Sequence, residues 1–278
     1  RSFQNVTEAA GLLSRYGSTS MALADVDGDG DLDLYVANYG ENTIRSGLNI
    51  STRMVGGKEV VTGRYASRLK IIDGKLIEYG EPDVLYLNDG KGRFTPVPWT
   101  GGAFLDADGQ PLAAPPLDMG LSVQMRDLNG DGHVDIYVAN DFHTPDRIWL
   151  GDGKGRFRAL PREAITHTSY FSMSVDFADI NRDGLVDWFV ADMSRRSHVQ
   201  RMAQLAADPP ILLPGERHDH PQFRRNSLFL NRGDGTWTDI ANFAGVGASD
   251  WTWSGVFLDV DLDGFERIFG TRWRETAG

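Results

Sequence analysis

The chain has 278 residues, a formal net charge of −11, no cysteine and a 41% hydrophobic content. That apolar content suffices for a buried core and excludes wholesale disorder. The missing cysteines exclude disulfides, thiolate catalysis and Cys-ligated zinc, and the acidity argues against a nucleic-acid binder. No apolar run approaches the roughly 18 residues of a membrane-spanning helix.

Arg1-Ser2-Phe3-Gln4 reads as a strand rather than a leader peptide, so the expectation is a mature chain. The segment Phe3-Gln4-Asn5-Val6-Thr7-Glu8-Ala9-Ala10-Gly11 resembles Trp237-Thr238-Asp239-Ile240-Ala241-Asn242-Phe243-Ala244-Gly245. It reads as an outer strand with no unit ahead of it, expected to pair with residues 254–270 and close a ring. Next come a short apolar run at 20–24, the loop Asp25-Val26-Asp27-Gly28-Asp29-Gly30-Asp31-Leu32-Asp33, and a second run at 34–36. The loop recurs as Asp127-Leu128-Asn129-Gly130-Asp131-Gly132-His133-Val134-Asp135 and as Asp179-Ile180-Asn181-Arg182-Asp183-Gly184-Leu185-Val186-Asp187. A fourth copy reads Asp259-Val260-Asp261-Leu262-Asp263-Gly264-Phe265-Glu266-Arg267. These windows hold fifteen of the 39 acids and two of the 28 Lys/Arg residues, a net −13; the remainder carries 24 acids and 26 bases, a net +2.

Short β-branched or aromatic runs flank the loops and read as strands. Each of the first three loops is followed by a strand–turn–strand unit: Val84–Phe94 around Asp89-Gly90-Lys91-Gly92, Ile148–Phe157 around Asp152-Gly153-Lys154-Gly155, and Leu228–Trp237 around Gly233-Asp234-Gly235. Loop unit and hairpin unit together supply four antiparallel strands, one propeller blade. The expectation is therefore an all-β fold: a single β-propeller domain over 1–278, of about four to five blades or a partial ring. Two insertions, at about 41–82 and 193–225, fall between the second and third strands of a blade. The first contains a hairpin at 70–77, and the second has helical composition from Arg195 to Ala207.

Oxygens at loop positions 1, 3 and 5, a carbonyl at 7 and a carboxylate at 9, with glycine near 6, wrap a hard cation such as calcium. An EF-hand needs a bidentate Glu at position 12 between helices; here that position holds Val36, Val138, Val190 and Gly270 between strands. The expected ligands are Asp25, Asp27, Asp29 and Asp33 with the carbonyl of Asp31. The second set is Asp127, Asn129, Asp131 and Asp135 with the carbonyl of His133, and the third Asp179, Asn181, Asp183 and Asp187 with that of Leu185. One such loop alone would read as a solvated Asp/Gly turn; three full repeats favour Ca²⁺. The fourth set, Asp259, Asp261 and Asp263, has Arg267 where the last carboxylate belongs and is expected to be weak or empty. The Arg-rich ending at 267–278 also lacks the strand pattern of its counterparts.

Asp-x-[Asp/Asn]-x-Asp-Gly-x-x-Asp between strand pairs, followed by Asn-[Asp/Arg]-Gly-[Lys/Asp]-Gly hairpins, resembles the FG-GAP/VCBS repeat family. That family includes integrin α-subunit propellers, cartilage acidic protein and many secreted bacterial proteins. The resemblance implies a calcium-binding β-propeller, and a homodimer if the ring is incomplete. It leaves the function open, because fold alone does not give it.

In a four-stranded blade the acidic loops and Gly-rich hairpins share one face, and the insertions emerge opposite, where long loops on a rigid scaffold carry function. Residues expected there include Asn38, Tyr39, Asn140, Asp141, His143, Asp192, His198, Trp251 and Trp253, with His143 read as a surface histidine. His218-Asp219-His220 has a transition-metal spacing but reads as a solvated loop. Gly-x-Ser-x-Gly, His-Glu-x-x-His, P-loop and Gly-x-Gly-x-x-Gly motifs are absent. The leading expectation is a secreted or periplasmic calcium-stabilised module binding a glycan or protein. The alternative is a Ca²⁺-dependent hydrolase of phosphoesters, phosphotriesters or lactones using Asp141, His143 and Asp192.

Overall fold

In a computed structural model, residues 2–40, 43–44, 47–207 and 221–272 are described. Three four-stranded units repeat one plan. The first is built, from inner to outer strand, by Ser18–Ala24, Asp33–Asn38, Val84–Asn88 and Phe94–Pro96. The second comprises Gly120–Arg126, Asp135–Asn140, Arg147–Gly151 and Phe157–Ala159, with Phe104–Leu105 added in parallel on its outer edge. The third comprises Ser174–Ala178, Asp187–Ala191, Ser227–Asn231 and Trp237–Asp239. A fourth unit has two described strands, Thr252–Leu258 and Arg267–Arg272.

The repeat extends to register. Ala24 faces Asp33, Arg126 faces Asp135, Ala178 faces Asp187 and Leu258 faces Arg267, so each acidic loop closes the same antiparallel pair. Inner strands of consecutive sheets are tied side by side. The Thr19 hydroxyl donates to the Gly120 carbonyl (2.7 Å), Gly255 N–H to the Ser174 hydroxyl (2.9 Å) and Phe257 N–H to the Asp176 carboxylate (2.7 Å). In the second and third units the second strand is buried on both faces (Asp135–Asn140 and Asp187–Ala191 throughout) because a sheet packs on either side of it. The cores accordingly lie between sheets. Tyr35, Val138 and Trp149 fill the space between the first and second, Tyr137, Trp188 and Phe229 that between the second and third, and Phe189, Leu228 and Phe257 that between the third and fourth. At the two ends of the row opposite faces stay exposed: Met21 and Leu23 on the first inner strand, Val256 and Leu258 on the last.

Both insertions join second to third strands. The first carries the hairpins Ser51–Val55/Lys58–Thr62 and Leu69–Ile72/Lys75–Glu78, and the second carries the helix His198–Ala207 and the short strand Gln222–Phe223. His218, Asp219, His220 and residues 273–278 lie outside the described residues.

The expected ring closure through Phe3–Val6 is corrected by the structure. No strand forms there, and Phe3 is fully exposed. The kinship with residues 237–245 is nevertheless real, because it resides in the turn and not in the strand. Ala10 N–H bonds the Val6 carbonyl as Ala244 N–H bonds that of Ile240, and Leu12 N–H bonds Thr7 as Val246 N–H bonds Ala241. This turn seats the following outer strand. The Ala10 carbonyl accepts Phe94 N–H (2.8 Å), as the carbonyls of Ala103 and Ala164 accept Phe157 and Trp237 N–H.

Candidate metal loops and binding cleft

All four acidic loops share one backbone. The position-1 carboxylate accepts two loop amides: Asp25 takes Gly28 and Gly30 N–H, Asp127 takes Gly130 and Gly132, Asp179 takes Asp183 and Gly184, and Asp259 takes Asp263 and Gly264. Position 4 is left-handed throughout, with φ of 79° at Gly28, 78° at Gly130, 61° at Arg182 and 56° at Leu262. Glycine adopts that conformation freely, whereas the two side-chain-bearing residues are strained in it by about 1 kcal/mol.

Position 9 divides the loops. Asp33, Asp135 and Asp187 are fully buried, and each uses both oxygens on backbone N–H groups, one inside its own loop and one on the third strand. The pairs are Val26 and Asn88, Leu128 and Gly151, and Ile180 and Asn231, at 2.7–3.0 Å. This carboxylate therefore pins loop to sheet whatever else it binds. Burial, with the neighbouring loop carboxylates adding, pushes Asp135 up to about 7 and Asp187 to about 6.

The donor chemistry fits a hard cation in the first loop, where carboxylate oxygens of Asp25, Asp27 and Asp29 lie within 4.8 Å of one another. In the second and third loops the position-3 amides of Asn129 and Asn181 turn their nitrogens toward Asp131 and Asp183, at 3.0 and 2.9 Å. A side-chain amide flip presents oxygen instead. The fourth loop also gathers its acids, Asp259, Asp261 and Asp263, within 4.8 Å, but here the fit fails. Arg267 donates from Nη1 to Asp261 (2.5 Å) and to the Phe265 carbonyl (3.2 Å), and from Nη2 to Asp263 (2.9 Å). Its guanidinium thus meets the oxygens of positions 3, 5 and 7, holds the Asp263 carboxyl below the usual carboxylate range, and supplies the positive charge internally.

The three candidate catalytic residues are not assembled into an open site. His143, expected at the surface, is buried and packs edge-on against Tyr79 (centroids 5.3 Å apart), because the first insertion folds over it. Asp141 accepts the Tyr39 hydroxyl at 3.1 Å. Asp192 accepts the Ser169 hydroxyl and Phe171 N–H, and burial pushes it up to about 7. A 230 Å³ pocket reaches His143, and its acidic lining residue is Glu78 rather than Asp141 or Asp192. Asn38 and Asn140, expected as surface groups, are buried ties instead. Their amides donate to the Pro82 and Pro145 carbonyls, and their N–H groups to Asp83 and Asp146. Asp83 and Asp146 also accept the Tyr35 and Tyr137 hydroxyls, and burial pushes both up to about 7. The third sheet exchanges this pair: Asp192 stands in the Asn position, and Asn226 in the Asp position receives Asp192 N–H (2.7 Å).

Two larger concavities lie elsewhere, at the end of the first sheet opposite its acidic loop. One, of about 670 Å³, is lined by Tyr16, Tyr86, Trp99, Asp83 and the prolines 82, 96, 98 and 115; the other, of about 650 Å³, is lined by Arg64, Tyr65, Arg68, Glu81 and Leu117. Arg15, Tyr16, Pro82 and Pro115 line both, so the two form one groove. No motif in the sequence marked these residues. Some precede the first inner strand, some lie in the first insertion and some follow the outer strand, and only folding of the insertion back on the sheet edge joins them.

Comparison with known proteins matches the FG-GAP-like repeat to residues 127–190 and 218–269 and the FG-GAP repeat to residues 17–50. The chain thus carries FG-GAP and FG-GAP-like repeats, and its sheets have the arrangement of a propeller-like fold. Neither match singles out the cartilage acidic protein group. No curated protein matches the chain. Among the solved structures that match is a lectin of Agrocybe aegerita described for specific recognition of non-reducing terminal N-acetylglucosamine. It is 15% identical, with a TM-score of 0.38 over 96% of this chain and 63% of the lectin, so the chain spans less than two thirds of the lectin's length. No described helix is long and apolar enough to cross a membrane.

Proposed function

We propose that the protein is an extracellular binding module in which calcium rigidifies the first three acidic loops and the groove of the first sheet holds a glycan or protein ligand. The observation that carries this reading is the groove itself. Its two joined cavities fall within the size range of ligand sites, and aromatic rings and prolines line it together with a small number of charged groups. FG-GAP repeats, typical of extracellular proteins, support the setting. Oxygen-only loops of extracellular modules bind calcium at about 10⁻⁴–10⁻³ M, a range filled outside the cell and not in the cytosol.

Calcium would be held by Asp25, Asp27 and Asp29, by Asp127, Asn129 and Asp131, and by Asp179, Asn181 and Asp183, with the position-9 carboxylates as further oxygens. When bound, the ion offsets the repulsion among these acids; the chain's own residues shape the loop and fix it to the third strand. No ion is required for the groove chemistry, because the acidic loops sit at the far end of each sheet.

The test is a screen of immobilised glycans and extracellular protein fragments with the native protein and with Tyr16→Ala, which removes the exposed ring shared by both cavities. Binding abolished by Tyr16→Ala supports the groove. Binding indifferent to Tyr16→Ala and to the neighbouring Arg15→Ala sinks it, and Ca²⁺-dependent turnover of ester or phosphotriester substrates would favour the hydrolase reading instead.

A further inference from the structure

We infer that two copies of the chain close into one ring, the fourth sheet of each packing on the first sheet of the other, with Phe269 against the partner's Leu23 and the Ser254 hydroxyl accepting the N–H of the partner's Met21.

The junction between consecutive sheets follows one plan inside the chain, and the shared register identifies its parts. Counted back from the residue facing loop position 9, Ser20, Ser122, Ser174 and Ser254 are equivalent. So are Met21, Val123, Val175 and Gly255, and likewise Leu23, Met125, Phe177 and Phe257. On the second strand Tyr35, Tyr137, Phe189 and Phe269 each stand two residues past position 9. At the first junction Val123 N–H donates to the Ser20 hydroxyl (3.3 Å), and at the third Gly255 N–H donates to that of Ser174 (2.9 Å). The second-strand ring meets the inner strand of the next sheet. Tyr137 lies edge-on to Phe177 with centroids 6.0 Å apart, and Phe189 edge-on to Phe257 at 6.4 Å. A sheet thus shows its successor a serine acceptor and an aromatic ring, and shows its predecessor an N–H donor and apolar inner-strand side chains.

The two ends of the row expose the two halves of this plan. Tyr35, Tyr137 and Phe189 are at most 2% exposed, whereas their equivalent Phe269 is 40% exposed. Val123, Val175 and Phe177 are buried, whereas their equivalents Met21 and Leu23 are 67% and 56% exposed. Val256 and Leu258, which alternate onto the same face as Ser254, are exposed as well. Apolar side chains gathered on one face of a sheet mark an interaction surface. The occupant is a second copy because the chain itself carries both halves in matching register. The last sheet offers the ring and the acceptor; the first offers the aliphatic side chains and the donor position held by Val123 and Gly255 in the built junctions. Neither face is complementary to itself, so unlike faces meet, and such contacts end either in a closed ring or in an open chain. Two copies of four sheets give eight, within the roughly four to eight blades that propellers use, and a third copy exceeds it. The contact uses inner and second strands, whereas the groove is lined by Tyr86 of the third strand and by residues ahead of the first. The proposal therefore stands apart from the groove and its ligand.

Sedimentation of the native chain over about 1–100 µM, beside Leu23→Lys and Phe269→Glu, tests the inference. Both side chains are exposed, so the variants keep the fold, which thermal melting checks. The expected result is a reversible dimer of the native chain. Each variant buries an unpaired charge at both junctions and should weaken dimerisation by at least about tenfold. An equimolar mixture of the two variants should regain the dimer, because one junction then pairs lysine with glutamate and the other pairs the native residues. A chain that is monomeric at about 100 µM leaves these faces to a different partner and overturns the proposal. A dimer indifferent to both variants overturns it too, and so does one broken by a single variant and left intact by the other, since like faces then pair. Species that keep growing with concentration overturn the closed ring.

Discussion

The first two repeats and the last two build one scaffold with different chemistry. Loops 25–33 and 127–135 have glycine at the left-handed position and a buried aspartate at position 9; loop 179–187 keeps the aspartate but strains Arg182; loop 259–267 strains Leu262 and ends in Arg267. The fourth loop holds the same turn as the first with a guanidinium among its acids. Asx-type bonds from loop carboxylates to loop amides therefore suffice to shape the turn, and a positive centre neutralises it. That centre is internal in the last repeat; in the first three, on the proposed reading, bound calcium would supply it.

The sharpest way to break this comparison is at position 9. Asp135→Ala strands the buried N–H groups of Leu128 and Gly151, at about 1–3 kcal/mol each, and is expected to destabilise the protein by roughly 2–6 kcal/mol in urea titration. Arg267→Ala, at the same position in an exposed setting, is expected to leave the midpoint nearly unchanged. Equal losses would show that position 9 does the same work in both loops.

Chelation comes next. At about 1 mM free Ca²⁺ and a Kd near 0.1 mM, each filled loop adds about 1.4 kcal/mol, roughly 4 kcal/mol for three. EGTA should therefore lower the melting temperature by several degrees. Metal analysis should return three ions per chain, and four for Arg267→Asp, whose new carboxylate replaces the resident guanidinium. An unchanged melting curve with EGTA would count heavily against calcium.

A third test uses the exchanged Asn/Asp pair. The folded-state values of Asp83 and Asp146, about 7, lie above the unfolded value of 3.8, so both carboxyls favour folding while protonated. That contribution, a few kcal/mol each at most, is complete below about pH 4 and lost as pH rises through about 7. The third repeat already carries the neutral amide, Asn226, at this position. Replacing both acids as in Asp83→Asn with Asp146→Asn should flatten the decline in melting temperature between pH 5 and 8. A double variant with the native pH profile would refute the assignment.

The smallest effect belongs to Leu262→Gly. Its side chain is 87% exposed and its φ is 56°, so relief of left-handed strain should raise stability by about 0.5–1 kcal/mol. Gly28→Ala, in the first loop, should change it in the opposite direction.

Much of the architecture was legible in the residues. The four loops, the Gly-rich hairpins, both insertions and the helix after Arg195 follow from local turn chemistry and strand patterning, which are properties of a few adjacent residues. The odd status of Arg267 was legible too, though not that its guanidinium reaches the position-3, -5 and -7 oxygens. The misreadings share a cause. Phe3–Val6 matched a strand by composition while its structural kinship lay in the turn at Ala10, and His143, polar and in a loop, lay under an insertion whose fold depends on distant contacts. Asp33, Asp135 and Asp187 read as pure ligands, yet each is first an acceptor for N–H groups on a strand 16–55 residues away, or 44 in the third sheet.

The sequence by itself determined where the charge lies: a net −13 in four loops and a body of +2. Alternation, spacing and glycine placement further specified the strand pairs and acidic turns, because period and turn conformation are local. Only the tertiary structure decided which polar groups are open and which are buried ties, and where a ligand fits. Asn38, Asn140 and Asp192 disappear between sheets, while Arg15, Tyr16, Pro82 and Pro115, far apart along the chain, line one groove. Burial and concavity depend on how whole sheets and insertions pack, and no window of sequence contains that information.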